Sequence, residues 1–501
     1  MAESLASNRK MGGWVVLGLW GVTFILSYLG IGRFLAEMAE GLDRTQISKT
    51  LPLLAFLSVL VSIAASVSWA RGWNRAAERR GDPPEGLGRR RFLLGAGAVL
   101  GGMAGVTAAA FARVYGWALT ARSITVEVTR TDPNPQQSWK GSRIQAYRRL
   151  GRTDFRASDI SLGSGRIQPE NDGEAIARAA IERGINYFDT APDYSENGSE
   201  IALGRAMKGH RDHMFVATKF CTANGHVQSG SSVREYTEAV EASLERLQTD
   251  HVDLVHVHAC DTVERLLDPN VHEAFDRLRE QGKVRFLGVS THTPNLETVA
   301  DAALASNRFD VMMLAYHYGT WPRLGEIVDR AAKQDVGVVA MKTLKGAQHR
   351  GMEEFREEAD SFAQAAFKWV LSNPSVACLV ISFYEHQHLD EYIHASGKSL
   401  TQRDLSVLRR YDELTAGTYC FNHCGACLGS CPESLRIDDV LRHRMYFENY
   451  GDEKKAMRLY ARLDKQADVC IGCSAPCSGS CPHGVPIQER TIGAHRLLAL
   501  A

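Results

Sequence analysis

The chain runs to 501 residues and carries 58 Lys and Arg against 58 Asp and Glu, a formal net charge of zero. A basic surface is the usual footprint of nucleic-acid binding, so this balance gives no nucleic-acid partner. The length predicts more than one domain, and eight of the eleven cysteines crowd between Cys420 and Cys481.

The first 113 residues read as a membrane region. Residues 11–32 (MGGWVVLGLWGVTFILSYLGIG) and 50–70 (TLPLLAFLSVLVSIAASVSWA) hold no charge, and each reaches the roughly 20 residues that a helix needs to cross a bilayer. A third charge-free run, 92–112, is rich in Gly and Ala and suits the core of an export signal or a further span. It follows GRRRFLLGAG, Gly88 to Gly97, which resembles a bacterial twin-arginine signal over residues 89–112. Arg71, Arg75, Arg79, Arg80 and Arg89 to Arg91 crowd the segment before that run. Basic loops stay cytoplasmic, so this segment is expected inside and everything after about Arg113 outside. A multi-pass protein of a bacterial inner membrane is predicted, with 114–146 as a linker. The small residues before Arg113 leave open whether the third run is cleaved.

From Tyr147 short Val- and Ile-rich runs alternate with helical stretches. DISLGSG, INYFDTA, MFVATKF, VDLVHVHA, VRFLGVSTH, FDVMMLAYH, GVVAMKTL and VACLVISF make eight strands. Eight strand-helix units over 147–400 predict an α/β fold, a closed (β/α)8 TIM barrel, and no GxGxxG follows the first strand to suggest an open dinucleotide-binding sheet. Chemistry in such a barrel sits at the C-terminal ends of the strands. Asp189, Lys219 and His258 occupy those ends, with Tyr194 in the loop PDYSENG. His256, His292 and His317 lie near strand ends as well, where imidazoles either ligate a metal or line a polar pocket.

This constellation, with YRRLGRTDFRASDISLG, INYFDTAPDYSENGSEIALGRAMK, DLVHVHACD, GKVRFLGVS and GVVAMKTLKG around it, resembles the aldo-keto reductase superfamily. Reducing a carbonyl leaves an alkoxide that must take a proton, and a tyrosine with a pKa near 10 donates reluctantly. A lysine ammonium lowers that pKa and an aspartate holds the lysine. The resemblance therefore implies Tyr194 as acid, Lys219 as its tuner, Asp189 as orienter and His258 as polariser of a small carbonyl or alcohol substrate. It also implies NADP(H), expected to bind weakly. Ser290 and Thr291 stand where the family usually reads Ser-Asn, Met313 replaces a glutamine that meets the nicotinamide, and Lys342 remains from the seventh strand end. The loop after the eighth strand offers Glu385, Asp390 and Glu391 instead of a cation for the adenosine phosphate.

Residues 401–501 hold CFNHCGACLGSCP and CIGCSAPCSGSCPHG. Both runs resemble two-cluster bacterial ferredoxins, in which three close thiolates hold one 4Fe-4S cluster and the fourth, before proline, reaches the other. The expected ligands are Cys420, Cys424, Cys427 and Cys431, with Cys470, Cys473, Cys477 and Cys481. Two zinc sites or a set of disulfides are the alternatives. Clusters assembled inside the cell must cross a membrane already folded, as the twin-arginine resemblance implies. The whole reads as a membrane-anchored oxidoreductase whose two clusters exchange electrons with a membrane donor or acceptor. The alternative is a barrel that binds without turnover, as in the aldo-keto-like subunits of potassium channels.

Overall fold

The computed structural model describes residues 135–499 except 321, 346–359, 384, 422 and 451, together with isolated positions between 15 and 68. The expected spans at 11–32, 50–70 and 89–112 lie outside the described residues, apart from Val15, Gly18, Leu19, Gly21, Val22, Ser58, Val61, Ala64, Ala65 and Ser68, all helical. Among the described residues no helix is long and apolar enough to cross a membrane.

Two short strands, β1 (Tyr147–Arg149) and β2 (Arg156–Ser158), pair antiparallel as a hairpin. The strands β3 (Ile160–Gly163), β4 (Tyr187–Asp189) and β5 (Phe215–Lys219) then begin a parallel barrel. A second hairpin, β6 (Cys221–Thr222) with β7 (Gly225–His226), interrupts it. It resumes with β8 (Val252–Val257), β9 (Val284–Thr291), β10 (Val311–Ala315), β11 (Gly337–Met341) and β12 (Cys378–Ser382). The last strand closes on the first, Leu379 opposite Ile160 through Ser382 opposite Gly163. The eight strands expected from the alternation of apolar runs are the eight of the barrel.

Both faces of each strand are buried, which is why the strands read as continuous apolar runs rather than alternating ones. Outward residues such as Leu162, Phe188, Val216 and Val255 pack under the surrounding helices. Inward residues, among them Tyr187, Phe215, Leu254, Val311, Met313 and Val339, fill the interior, and the β1–β2 hairpin closes the N-terminal end with Leu150 and Phe155. Helix Gln402–Thr415 lies beyond the boundary expected at residue 400, yet it packs on the barrel. Its Asp404 binds the buried Lys368 at 2.5 Å, and Tyr411 stacks on Phe362 with centroids 4.0 Å apart.

The cysteine-bearing segment forms a helical unit with its own core, including Leu435, Val440, Leu441, Tyr460, Val485 and Leu498. That unit sits on the C-terminal face of the barrel. It touches the loop after β3 through Asp452 and Arg166 at 3.5 Å, and the loop after β4 through an Arg458–Glu196 ion pair. Arg462 donates to the Asn224 carbonyl at 2.9 Å in the β6–β7 turn. Beyond β10 and β11, Phe421 lies against His317 and under the Lys345 ammonium.

Inside the barrel, Gly288 on β9 makes room for an imidazole. A Cβ there would stand 2.5 Å from His256 Nδ1 and 3.0 Å from the Val311 carbonyl oxygen. Gly288→Ala should therefore destabilise the protein by about 1–3 kcal/mol, the usual cost of overpacking a filled core. Denaturant unfolding of the two proteins measures the difference, and equal midpoints would show that His256 is free to move away.

Candidate active site at the barrel mouth

Strand ends place the expected tetrad. Asp189 ends β4 and Lys219 ends β5, one strand apart in the sheet, so their side chains meet just above the core. Lys219 Nζ lies 2.6 Å from Asp189 Oδ1 and donates to the Thr190 carbonyl at 2.7 Å, and both partners are almost wholly buried. Tyr194 stands in the loop after β4, with Lys219 Nζ 4.7 Å from its ring centroid. Gly165 borders the same ring, and a Cβ there would meet it at 3.8 Å. His258, just past β8, meets Tyr194 edge-on with centroids 5.9 Å apart.

The electrostatics depart from expectation at one point. Burial pushes the Tyr194 phenol well above its ordinary range, and the carboxylates of Asp189 and Asp193 push the same way. Lys219 was expected to lower it, but its charge is engaged by Asp189 and the Thr190 carbonyl. A second phenol behaves in the opposite sense. Tyr446, from helix Ile437–Glu448, is held below its ordinary value: burial opposes the shift, and the cations Lys342, Arg442 and Lys455 outweigh it. The Lys342 ammonium lies 5.6 Å from the Tyr446 ring centroid, and Lys455 lies 5.8 Å from that of Tyr194.

The histidines separate. His256 is buried inside the barrel, against the backbone of Gly288. His317 stacks near Phe421 and His423 of the cysteine unit. His258 is joined instead by His226, from β7, with ring centroids 4.3 Å apart, and by Asp193, whose Oδ1 lies 3.6 Å from His258 Nδ1. Burial lowers the pKa of His226 to about 4 and that of His258 well below the imidazole range.

Residues 159–413 match the model of the aldo/keto reductase family. The chain belongs to the aldo/keto reductase family. Its relatives include an uncharacterised oxidoreductase of Bacillus subtilis, YqkF, 28% identical over 53% of this chain and 95% of that one. L-galactose dehydrogenase of Arabidopsis thaliana is 26% identical over 50% and 87%. A probable voltage-gated potassium channel subunit beta of rice is 24% identical over 50% and 90%. Among solved structures, an aldo-keto reductase from Klebsiella pneumoniae in complex with NADPH aligns with a TM-score of 0.44 and 22% identity, over 54% of this chain and 95% of that one. The chain is thus an aldo-keto-reductase-like oxidoreductase.

In this aldo/keto reductase the residues expected to hold a nicotinamide dinucleotide are otherwise engaged. The Ser290 hydroxyl accepts the Ala259 N–H at 3.1 Å, and Thr291 is buried with its hydroxyl 3.4 Å from that of Thr293. Met313 belongs to the interior apolar cluster. Lys342 faces Tyr446. The acidic loop is also less negative than its sequence suggests, because Asp390 pairs with Arg183 at 2.5 Å and accepts the Gly141 N–H, while Glu391 is buried. Ser290 and Lys342 thus each have a partner within this chain, and Met313 offers the amide of a nicotinamide no hydrogen bond.

The cysteines group across the two runs. Cys420, Cys424 and Cys427 share one small cavity with Cys481, and Cys431 stands with Cys470, Cys473 and Cys477. Main-chain N–H groups donate to sulfur at 3.4 Å from Leu435 to Cys431, Ala475 to Cys473 and Val485 to Cys481. No cysteine is in a disulfide. Two sets of four spaced thiols with amide donors fit a larger, cuboidal group. Of the other cysteines, Cys260 and Cys378 pack in the apolar clusters, and Cys221 lies buried at the base of the β6–β7 hairpin.

His317 is 1% exposed, and burial with the nearby Lys345 charge lowers its pKa to about 4. In the unfolded chain it titrates near 6.5. Between these values the unfolded state binds more protons, so stability falls as the pH drops from 6.5 towards 4. The melting temperature of His317→Gln should show a flatter pH dependence in that window than the parent, and identical slopes would show that His317 is not held neutral.

Proposed function

We propose that this chain is a membrane-anchored, extracytoplasmic oxidoreductase that interconverts a small carbonyl and its alcohol, with two 4Fe-4S clusters in the cysteine-bearing unit. The observation that carries the reading is the seating of that unit over the barrel mouth, which brings the cysteine groups and the tetrad onto one face. Cys420, Cys424, Cys427 and Cys481 would hold one cluster and Cys431, Cys470, Cys473 and Cys477 the other. When bound, the clusters supply one-electron redox chemistry at potentials set by charge, hydrogen bonds and exposure. The charge-free runs 11–32 and 50–70 support anchoring in lipid.

The protein's own residues then handle the substrate oxygen. His258 faces Tyr194 across the mouth, so a carbonyl placed between them is hydrogen-bonded from one side and protonated from the other. Burial keeps the Tyr194 proton in place at neutral pH. Lys219, fixed by Asp189, adds positive potential where negative charge grows on oxygen. The cysteine unit shields the mouth from water, which strengthens each of these interactions.

Tyr194→Phe keeps the ring and removes the proton, so carbonyl turnover with a chemical reductant should fall by about 10²- to 10⁴-fold. An unchanged rate would show that Tyr194 is not the proton donor, and no turnover in either protein would favour the non-catalytic reading, which the rice channel-subunit relative and the engaged Ser290 and Lys342 support. Anaerobically purified protein should contain about eight irons per chain. Pairing Cys431→Ala with Cys477→Ala should cost no more iron than either alone, whereas pairing Cys431→Ala with Cys427→Ala should remove nearly all of it. The opposite pattern would show that each run closes on itself.

A further inference from the structure

Three neighbouring barrel units contribute to a cluster that neither the tetrad nor the cysteines account for. Asp193 comes from the loop after β4, His226 from the β6–β7 hairpin that follows β5, and His258 from the end of β8. One ligand atom from each lies within 4.8 Å of the others, the one such trio among the described residues. His258 is 7% exposed and its Nδ1 is buried with no hydrogen-bond partner, while the Asp193 carboxylate beside it also has the Cys221 thiol as a neighbour. At 3.6 Å His258 Nδ1 and Asp193 Oδ1 are too far apart to satisfy each other. A buried polar atom left in this way is costly, and His226 and Asp193 each offer a ligand atom within 4.8 Å of one on His258.

We propose that Asp193, His226 and His258 bind a divalent cation of the zinc class beside Tyr194. Bonds of about 2.0–2.2 Å to two imidazoles and a carboxylate place tetrahedral ligand atoms roughly 3.3–3.5 Å apart, close to the spacing of Asp193 and His258. Three protein ligands leave a fourth position open, the pattern of catalytic rather than structural zinc. Lys219 and Arg265 act on His258 as nearby cations, and the Asp193 carboxylate supplies the negative charge that opposes them at the site. The β6–β7 hairpin brings His226 into reach. Cys221 and His226 are register partners, and Gly225 turns the chain at φ +133°. The role of the ion rests on the reading of the mouth as the place where a carbonyl oxygen arrives, since its open position would polarise that oxygen; the binding itself does not depend on it.

The holoprotein is stripped with EDTA, reloaded with Zn2+ and desalted, and its zinc is counted while the visible absorbance and melting temperature are followed. The parent should retain one zinc more per chain than His226→Ala or Asp193→Ala. Each variant should lose affinity by more than the roughly 10–100-fold that altered outer-shell partners cost. His226 sits on a partly exposed hairpin, so after stripping and before reloading His226→Ala should melt with the parent. Because the readout is the difference between parent and variant, zinc held by cysteines does not enter, and failure of the cluster reading or of turnover leaves the result unaffected. Equal zinc in parent and variants, or none in either, overturns the proposal.

Discussion

The Lys219–Asp189 ion pair is the contact on which the arrangement of the mouth depends. Two charges with almost no exposure to water are costly unless each finds close partners. Here the ammonium has a carboxylate oxygen at 2.6 Å, a carbonyl at 2.7 Å and an aromatic face. The carboxylate comes from one strand end and the ammonium from the next, so the pair forms only when β4 and β5 are in register, Asp189 opposite Ala217. The pair in turn fixes where Tyr194 can lie, because its ring covers the ammonium. Removing either partner leaves an uncompensated buried charge, and such losses cost about 3–5 kcal/mol.

Above that pair, the cysteine unit acts as a lid made of this chain. Its cations face inward. Arg442 and Lys455 join Lys342 around the Tyr446 phenol, and this cluster of positive charge holds the phenol below its ordinary value while Tyr194, with two carboxylates nearby, is pushed up. Two phenols at one mouth are thus driven apart in acidity by their neighbours. The electrostatic field that a developing alkoxide would meet is positive on the lid side, where Lys342 and Lys455 lie, and on the barrel side, where Lys219 lies.

The sequence made the barrel legible because runs buried on both faces repeat with helices between them, and that pattern is local. Asp189, Lys219 and His258 were legible for the same reason: strand ends can be counted. Asp193 and His226 were not. The hairpin that carries His226 is only two residues on each side, too short for a periodic signal, though the Asn224-Gly225 pair is a turn signature. Tyr446 meets Lys342 only through the docking of one unit on another, which no local pattern reports. Charge misled as well. Asp390 reads as a repulsive carboxylate in the sequence, but the partner that neutralises it, Arg183, follows the first barrel strand, far away in sequence and adjacent only once the barrel closes.

The cysteine unit has a symmetry of its own. Ser430 and Ser480, fifty residues apart, share a hydrogen bond at 2.7 Å, and each precedes the last cysteine of its run. Leu435 donates to Cys431 as Val485 donates to Cys481, both at 3.4 Å, and helices Ile437–Glu448 and Ile487–Leu498 follow in step. The two runs are copies facing each other across the serine contact. A last cysteine placed at that contact is near the partner run, which is why Cys481 joins Cys420, Cys424 and Cys427 and why Cys431 joins the others. Each group of four takes three cysteines from one run and one from the other, so each group ties the two runs together.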